Sequence, residues 1–331
     1  MANRNYSLTE VKKEASDFLN LKKDKNRTTY LNYRTSINYF IYYLEDISEE
    51  TELGTDNKEK VLEGLQGSLL KGFNYKIKNP EAEVPVERIV KVKPSAVNTH
   101  IRRIKTFLNR CLGLTVELTK LNVNKPKYKS LTITEVELLA DNCSNYWSNE
   151  EIAKRNETLI RFLFNTAFRI NEALTLEVAN VISEEGSYYV IIHEKGKASG
   201  VLTEVAISEN TYKMLMDYIA IKSVPSDFVF SSVKASDNGK AKAFSRQQFN
   251  KSIINLAAYV DNNEGTNISK TVENNSSHVF RHSKATYLLN EVKEDVVTVK
   301  EVLRHSSIDS TLIYLNPKEE AINLVRINND I

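Results

Sequence analysis

Apolar residues recur at helical spacing along most of the chain, and that rhythm divides it into elements. Ser7-Leu8-Thr9-Glu10 reads as a capping box, in which the serine and glutamate side chains satisfy the free amides of a helix start. Val11, Ala15, Phe18 and Leu19 follow at helical spacing. From about Thr28 a second helix is predicted, with Tyr30, Tyr33, Ile37, Phe40, Ile41 and Leu44 on one face and Asn32, Arg34, Thr35 and Asn38 on the other. An acidic stretch from Glu45 to Glu63 turns into a third helix around Lys58 to Leu70. Residues 72–94 hold prolines and alternate charges with valines, which fits either a long exposed loop or a short hairpin. A fourth helix is predicted from Ser95 to about Leu112. Its core stripe is Val97, Ile101, Ile104, Leu108 and Cys111, and His100, Arg103 and Arg110 lie off it. Together these make a small four-helix domain with one polar, partly basic surface.

Lys125-Pro126-Lys127-Tyr128-Lys129 reads as a linker: its proline disfavours helix, and its lysines suit either a phosphate backbone or plain solvent. A second capping box, Thr132-Ile133-Thr134-Glu135, opens the next domain, and Arg155 to Phe168 is apolar and helical. Tyr188 to Ile192 is aromatic and β-branched, a strand by composition. The turn Lys195-Gly196-Lys197 and a strand around Leu202 to Ile207 complete a β-hairpin. Helices start from Ser208 and Ser245, and the segment His278 to Tyr314 is helical again. No internal repeat is found. The predicted division is a helical domain over residues 1–120, a linker over 121–130, and an α+β domain over 131–331 ending in a tail helix at about 317–331. The fold class is mainly α with a small β-hairpin or sheet.

Length supports two domains, since single cores stop growing at a few hundred residues and this chain has 331. The net charge of +2 says little about partners, but its distribution says more. Lys71 to Arg110 carries ten basic residues against three acidic ones, an excess that suits a phosphate backbone and equally a solvated helix face. Cys111 and Cys143 stand alone without metal-like spacing and read as buried, reduced thiols. No apolar run is long enough to span a membrane, and Met1 to Ser7 lacks the apolar region of a signal peptide, which points to the cytoplasm.

The chemistry concentrates late in the chain. His278-Val279-Phe280-Arg281 is followed by His305 and, nine residues on, Tyr314, while Arg169 stands upstream in Thr-Ala-Phe-Arg-Ile-Asn-Glu-Ala-Leu. Singly these are weak signals: tyrosine occurs 16 times, and a lone histidine more often satisfies a core hydrogen bond. As a set they are the parts for attack on a phosphodiester. Rigid donors stabilise charge growing on the non-bridging oxygens, and the planar guanidinium fork holds two phosphate oxygens at once. Arg169 and Arg281 would clamp the phosphate, and Tyr314 would attack it. With an ordinary phenol pKa of about 10, that tyrosine needs a base or a strongly cationic site. His278 is the acid/base candidate, and His305 the donor to phosphate.

Arg169, Lys195, His278, Arg281, His305 and Tyr314, in this order, resemble the tyrosine recombinases, the family of phage integrases, Xer and Cre. The boxes TAFRINEAL, HVFRHSKAT and LRHSSIDSTLIY carry the resemblance. It implies a four-helix DNA-binding domain and a catalytic domain that clamp duplex DNA. It also implies cleavage through a 3′-phosphotyrosine without metal, nucleotide or other cofactor, and a homotetramer coupled by the C-terminal tail on inverted-repeat sites, accessory factors being possible. A hairpin lysine would protonate the leaving 5′-oxygen; hairpin length favours Lys195 over Lys197, which also suits a backbone contact. Glu172 would orient its neighbours. Asn32, Arg34, Asn38, His100, Arg103, Arg110, Lys125, Lys127, Lys129 and Lys197 are DNA-binding candidates. The sequence departs from the family's usual glycine at Arg304 and at Ala167. A type IB topoisomerase shares the chemistry, and a catalytically idle DNA-binding protein would keep the basic surface; these are the alternatives.

Overall fold

The computed structural model describes residues 4–23, 26–47, 52–77, 86–123, 129–193 and 202–315. The chain separates into two compact units, Met1–Lys125 and Pro126–Ile331. In the first, α1 (Leu8–Lys23), α2 (Arg27–Ile47), α3 (Lys58–Lys71) and α4 (Pro94–Leu112) surround a core of Val11, Phe18, Ile37, Phe40, Leu62, Leu65, Ile104 and Phe107. Glu10 closes the first capping box with bonds from the Ser7 amide at 2.9 Å and the Ser7 hydroxyl at 3.0 Å. Pro94 starts α4, where its missing N–H costs nothing, and Gly113 ends it in the left-handed conformation that glycine adopts without strain. Between α3 and α4 the chain forms a hairpin, β1 (Phe73–Ile77) against β2 (Val86–Val90), with Phe73 opposite Val90. The hairpin alternative therefore holds over the loop. Beyond α4, Leu114 and Val116 are buried in the same core, and Asn98 brackets the Leu121 backbone with two bonds of 2.9 Å.

The second unit opens with α5 (Ile133–Asp141), whose Thr132–Glu135 capping box is intact, then α6 (Cys143–Tyr146) and the long α7 (Glu150–Thr166). After the short α8 (Ile170–Leu174) comes an antiparallel sheet of β3 (Val181–Glu184), β4 (Ser187–His193) and β5 (Leu202–Ala206), in that order. The hairpin of β4 and β5 matches the expectation; β3 was not anticipated. The helix α9 (Glu209–Ala220) leads to a second small hairpin, β6 (Ser231–Ala235) with β7 (Ala241–Ala243), also unforeseen. Then follow α10 (Arg246–Glu264), α11 (Ser269–Asn275), α12 (His278–Tyr287), one turn of π-helix at Leu288–Val292, α13 (Val296–Leu303) and α14 (Asp309–Leu312). Leu159, Phe162, Leu163, Phe230, Phe249, Leu256 and Phe280 fill the main core. A separate small cluster of Ala167, Ala285, Leu289, Val299, Leu303 and Tyr314 joins the ends of α7, α12 and α13.

Two expectations are corrected here. Cys143 is buried, but Cys111 is half-buried, because Phe107, Leu108 and Leu112 occupy the core face at that end of α4. His100 is half-buried and its ring is engaged: Nδ1 lies 2.9 Å from the Ser36 hydroxyl and the ring meets Tyr39 edge-on at 5.1 Å. Burial, with Arg103 adding to it, pushes this imidazole down to about 4, so it is neutral and occupied with packing α4 on α2.

Candidate active site

The site assembles where α7 stops. Ala167 ends that helix at φ 52°, in the left-handed region, and swings the chain so that Arg169 precedes α8. Glu172, one turn on and buried, accepts from the Arg169 backbone amide at 2.9 Å and from its guanidinium at 2.8 Å. Arg304 donates at 2.7 Å to Oε2, the oxygen that also accepts the Arg169 amide. Burial alone would raise the Glu172 carboxyl, but Arg304, followed by the bonds from Arg169, outweighs it and holds the group below the usual range. Glu172 thus serves two arginines at once.

Arg281 comes from α12. Its guanidinium is buried and donates to the carbonyl of Ala167 at 2.6 Å and to that of Leu303. One side chain therefore ties the end of α7 to the end of α13. Burial pushes it down to about 10, and Arg169 and Arg304 add to the push. A guanidinium has five N–H donors, so these two bonds leave others for a ligand.

His305 follows the left-handed turn at Arg304. Its Nδ1 lies 2.9 Å from the hydroxyl of the buried Thr311, which fixes the ring and leaves Nε2 as the outward nitrogen. Tyr314, 5 % exposed, packs in the small cluster, and its carbonyl accepts from Asn290 in the π-turn at 3.0 Å. Single π-turns often mark functional sites, and this one aims Asn290 at the tyrosine.

The residue that the sequence reading passed over is His282. Its Nδ1 is 2.6 Å from the Tyr314 hydroxyl, and the two rings are 5.2 Å apart. The available signal was helical spacing, since His278 and His282 stand four residues apart on one face of α12, with rings 6.2 Å apart. Burial, then His278, Arg281 and His305, holds His282 at about 4; burial and the arginines Arg281, Arg169 and Arg304, with Lys300, hold His305 at about 4. Both rings are neutral at pH 7.

His278 itself is exposed and borders a cavity of about 220 Å³ with Arg169, Glu172, His193 and Arg246. His193 at the end of β4 and Arg246 at the start of α10 carry no local motif, and only the fold brings them here. Arg169, Arg281, His305 and Tyr314 come together as anticipated, whereas Lys195 and Lys197 lie outside the described residues.

In the first unit, Thr29, Asn32, Tyr33, Arg102, Arg103 and Thr106 line a concavity of about 260 Å³, and Arg103 donates to the Asn32 carbonyl at 3.5 Å. Arg34 and Arg110 are exposed, the Arg34 guanidinium lying 5.5 Å over the Tyr30 ring, and Asn38 is half-buried. Lys129 is exposed; Lys125, Lys127 and the tail at 317–331 lie outside the described residues.

Among curated proteins the chain is 29 % identical over 181 residues to the tyrosine recombinase XerH of Helicobacter pylori, covering 54 % of this chain and 46 % of that one. It is 26 % identical over 209 residues to XerD of Rickettsia prowazekii, covering 59 % and 62 %. The chain thus spans about half to three-fifths of the length of these relatives. Among solved structures, XerH bound to its difH substrate in a pre-cleavage complex shares the fold at a TM-score of 0.62 and 17 % identity, over 97 % of this chain and 84 % of that one. Residues 129–321, which contain the Arg169, His278–Arg281 and His305–Tyr314 segments, match the phage integrase family, and the chain belongs to that family.

Proposed function

We propose that this protein is a site-specific DNA recombinase that cuts and rejoins duplex DNA through a tyrosine. The observation that carries the reading is the gathering of Arg169, Arg281 and His305 at the turns of Ala167 and Leu303–Arg304. Ala167 and Leu303 pack in one cluster with Tyr314, the hydroxyl of which already rests on a neutral imidazole. The Tyr314 oxygen attacks the scissile phosphorus, its proton passes to His282 Nδ1, and the bond to the 5′-oxygen breaks as the phosphotyrosine bond forms. Arg169 and Arg281 hold the non-bridging oxygens, supported by His305 Nε2, so the charge that grows there meets fixed donors in a buried site. His278, at the mouth of the adjoining cavity, moves a proton or holds the phosphate. Lys195 protonates the departing 5′-oxygen. Rejoining is the reverse, with a 5′-hydroxyl from another strand as nucleophile.

His282 takes the base role because its Nδ1 stands 2.6 Å from the Tyr314 hydroxyl on a ring that, held at about 4, is unprotonated at pH 7. A bound phosphodiester would offset Arg281, which adds to burial and His278 in depressing His282, and so make His282 a better acceptor during attack. The polar and basic surface of the first unit around Asn32 and Arg103 would grip the duplex, and residues 317–331 would join protomers into a tetramer on paired inverted repeats. The protein would act in the cytoplasm on nucleoid or mobile-element DNA; no helix of the described residues is long and apolar enough to cross a membrane.

The test is a plasmid carrying two copies of a candidate inverted repeat drawn from the DNA flanking the gene. Wild type should resolve it into two circles. Relaxation of a plasmid lacking the repeat, without exchange, would instead mean a type IB topoisomerase.

A further inference from the structure

Arg304 occupies a left-handed turn, at φ 51° and ψ 49°, between α13 and His305. A residue with a Cβ is disfavoured there and glycine is not, so the local backbone gives no reason for arginine. The side chain supplies one. Its guanidinium lies 4.5 Å over the Phe168 ring, donates to Glu172 at 2.7 Å, and is only 11 % exposed. Its carbonyl accepts from the Arg169 guanidinium at 3.3 Å. Arg304 therefore touches Arg169 twice, through the main chain and through the carboxylate they share.

We infer that Arg304 is a positioning residue for DNA cleavage, fixing Glu172 and, through it, the phosphate-holding fork of Arg169. The inference rests on the reading proposed above. Two consequences follow from one carboxylate facing two guanidiniums. Glu172 is held from two directions, so the Arg169 fork loses the freedom to swing with its partner. Glu172 also divides its charge, so Arg169 is less neutralised and keeps more attraction for a phosphate. With a lone arginine partner, a buried carboxylate would cancel most of that charge. Phe168, buried in the main core, anchors the arrangement to the rigid part of the unit.

The test compares wild type, Arg304→Gly, Arg304→Lys and Glu172→Gln, singly and with Arg304→Gly combined with Glu172→Gln. Each is assayed for covalent adduct formation on a nicked suicide duplex, for affinity to the intact duplex and for Tm. Glycine removes the guanidinium and relieves the turn, so Tm should hold. Adduct formation should slow about ten-fold or more, the cost of a slightly misplaced group, with duplex affinity unchanged. Lysine should restore part of the rate. In the Glu172→Gln background, Arg304→Gly should add little, because both act along one route. A wild-type rate in Arg304→Gly overturns the inference alone, as does an equal further loss in the Glu172→Gln background. A rate loss matched by a fall in Tm reduces Arg304 to a structural part. Absence of any adduct in wild type overturns the functional reading and this inference with it.

Discussion

His282 Nδ1 and the Tyr314 hydroxyl stand 2.6 Å apart, in a site where burial and neighbouring positive groups keep the imidazole neutral. The pair is set before any substrate arrives. Replacing His282 with Phe keeps a ring in the helix and removes the acceptor. Adduct formation at neutral pH should fall about 10²- to 10⁴-fold, the usual worth of a placed base. The variant should regain rate as pH rises toward the ordinary phenol range near 10, where solvent can ionise the tyrosine. A pH profile parallel to wild type would remove His282 from the proton path.

Arg281 should matter to both folding and chemistry. It is buried and bonded to the carbonyls of Ala167 and Leu303. Lysine keeps the charge but is a point donor without the fork, so Arg281→Lys should leave a carbonyl unpaired and cost roughly 1–3 kcal/mol. Denaturant unfolding measures this, and adduct formation should be lost even at temperatures where the variant is fully folded.

Stability should depend on pH through His100, His282 and His305, each held at about 4 against an ordinary value of 6.5. In this window the unfolded chain binds protons that the folded chain refuses, so stability rises with pH from about 4 to 6.5. Their contribution is complete above 6.5 and is lost progressively as pH falls toward 4. Tm should therefore drop from pH 7 to pH 5, and His282→Phe should flatten that slope.

In the helical unit, Arg102 and Arg103 border the concavity shared with Asn32. Converting both to Ala should weaken duplex binding alike for specific and unrelated sequences, and lower the slope of log affinity against log salt by about 2. His100→Ala should instead lower Tm with little change in that slope, because its ring is engaged by Ser36 and Tyr39.

The legible parts of this chain are those where one local pattern determines one outcome. The Thr132–Glu135 capping box, the stripe of α4 and the strands at Tyr188 and Leu202 were readable because helix and strand periods differ. Arg169, Arg281, His305 and Tyr314 were readable because residue type and spacing together are rare. His282 carries no distinct mark beside His278 and Arg281, and only the folding back of Tyr314 shows its use. Arg304 was visible as a missing glycine, but its value depends on Glu172, 132 residues away. His193 and Arg246 have no local mark at all. His100 looked available because it lies off the apolar stripe, yet Ser36 on the facing helix gives a polar ring a buried partner.

The central claim is that Tyr314 becomes covalently joined to DNA, and trapping that joint tests it most directly. Wild type and Tyr314→Phe are incubated with nicked suicide duplexes carrying candidate inverted repeats from DNA flanking the gene, with the chelator EDTA present. The account predicts a denaturant-resistant protein–DNA adduct in wild type, with the modified peptide containing Tyr314, and none in the variant. An adduct of equal yield in Tyr314→Phe would place the nucleophile elsewhere and contradict the account.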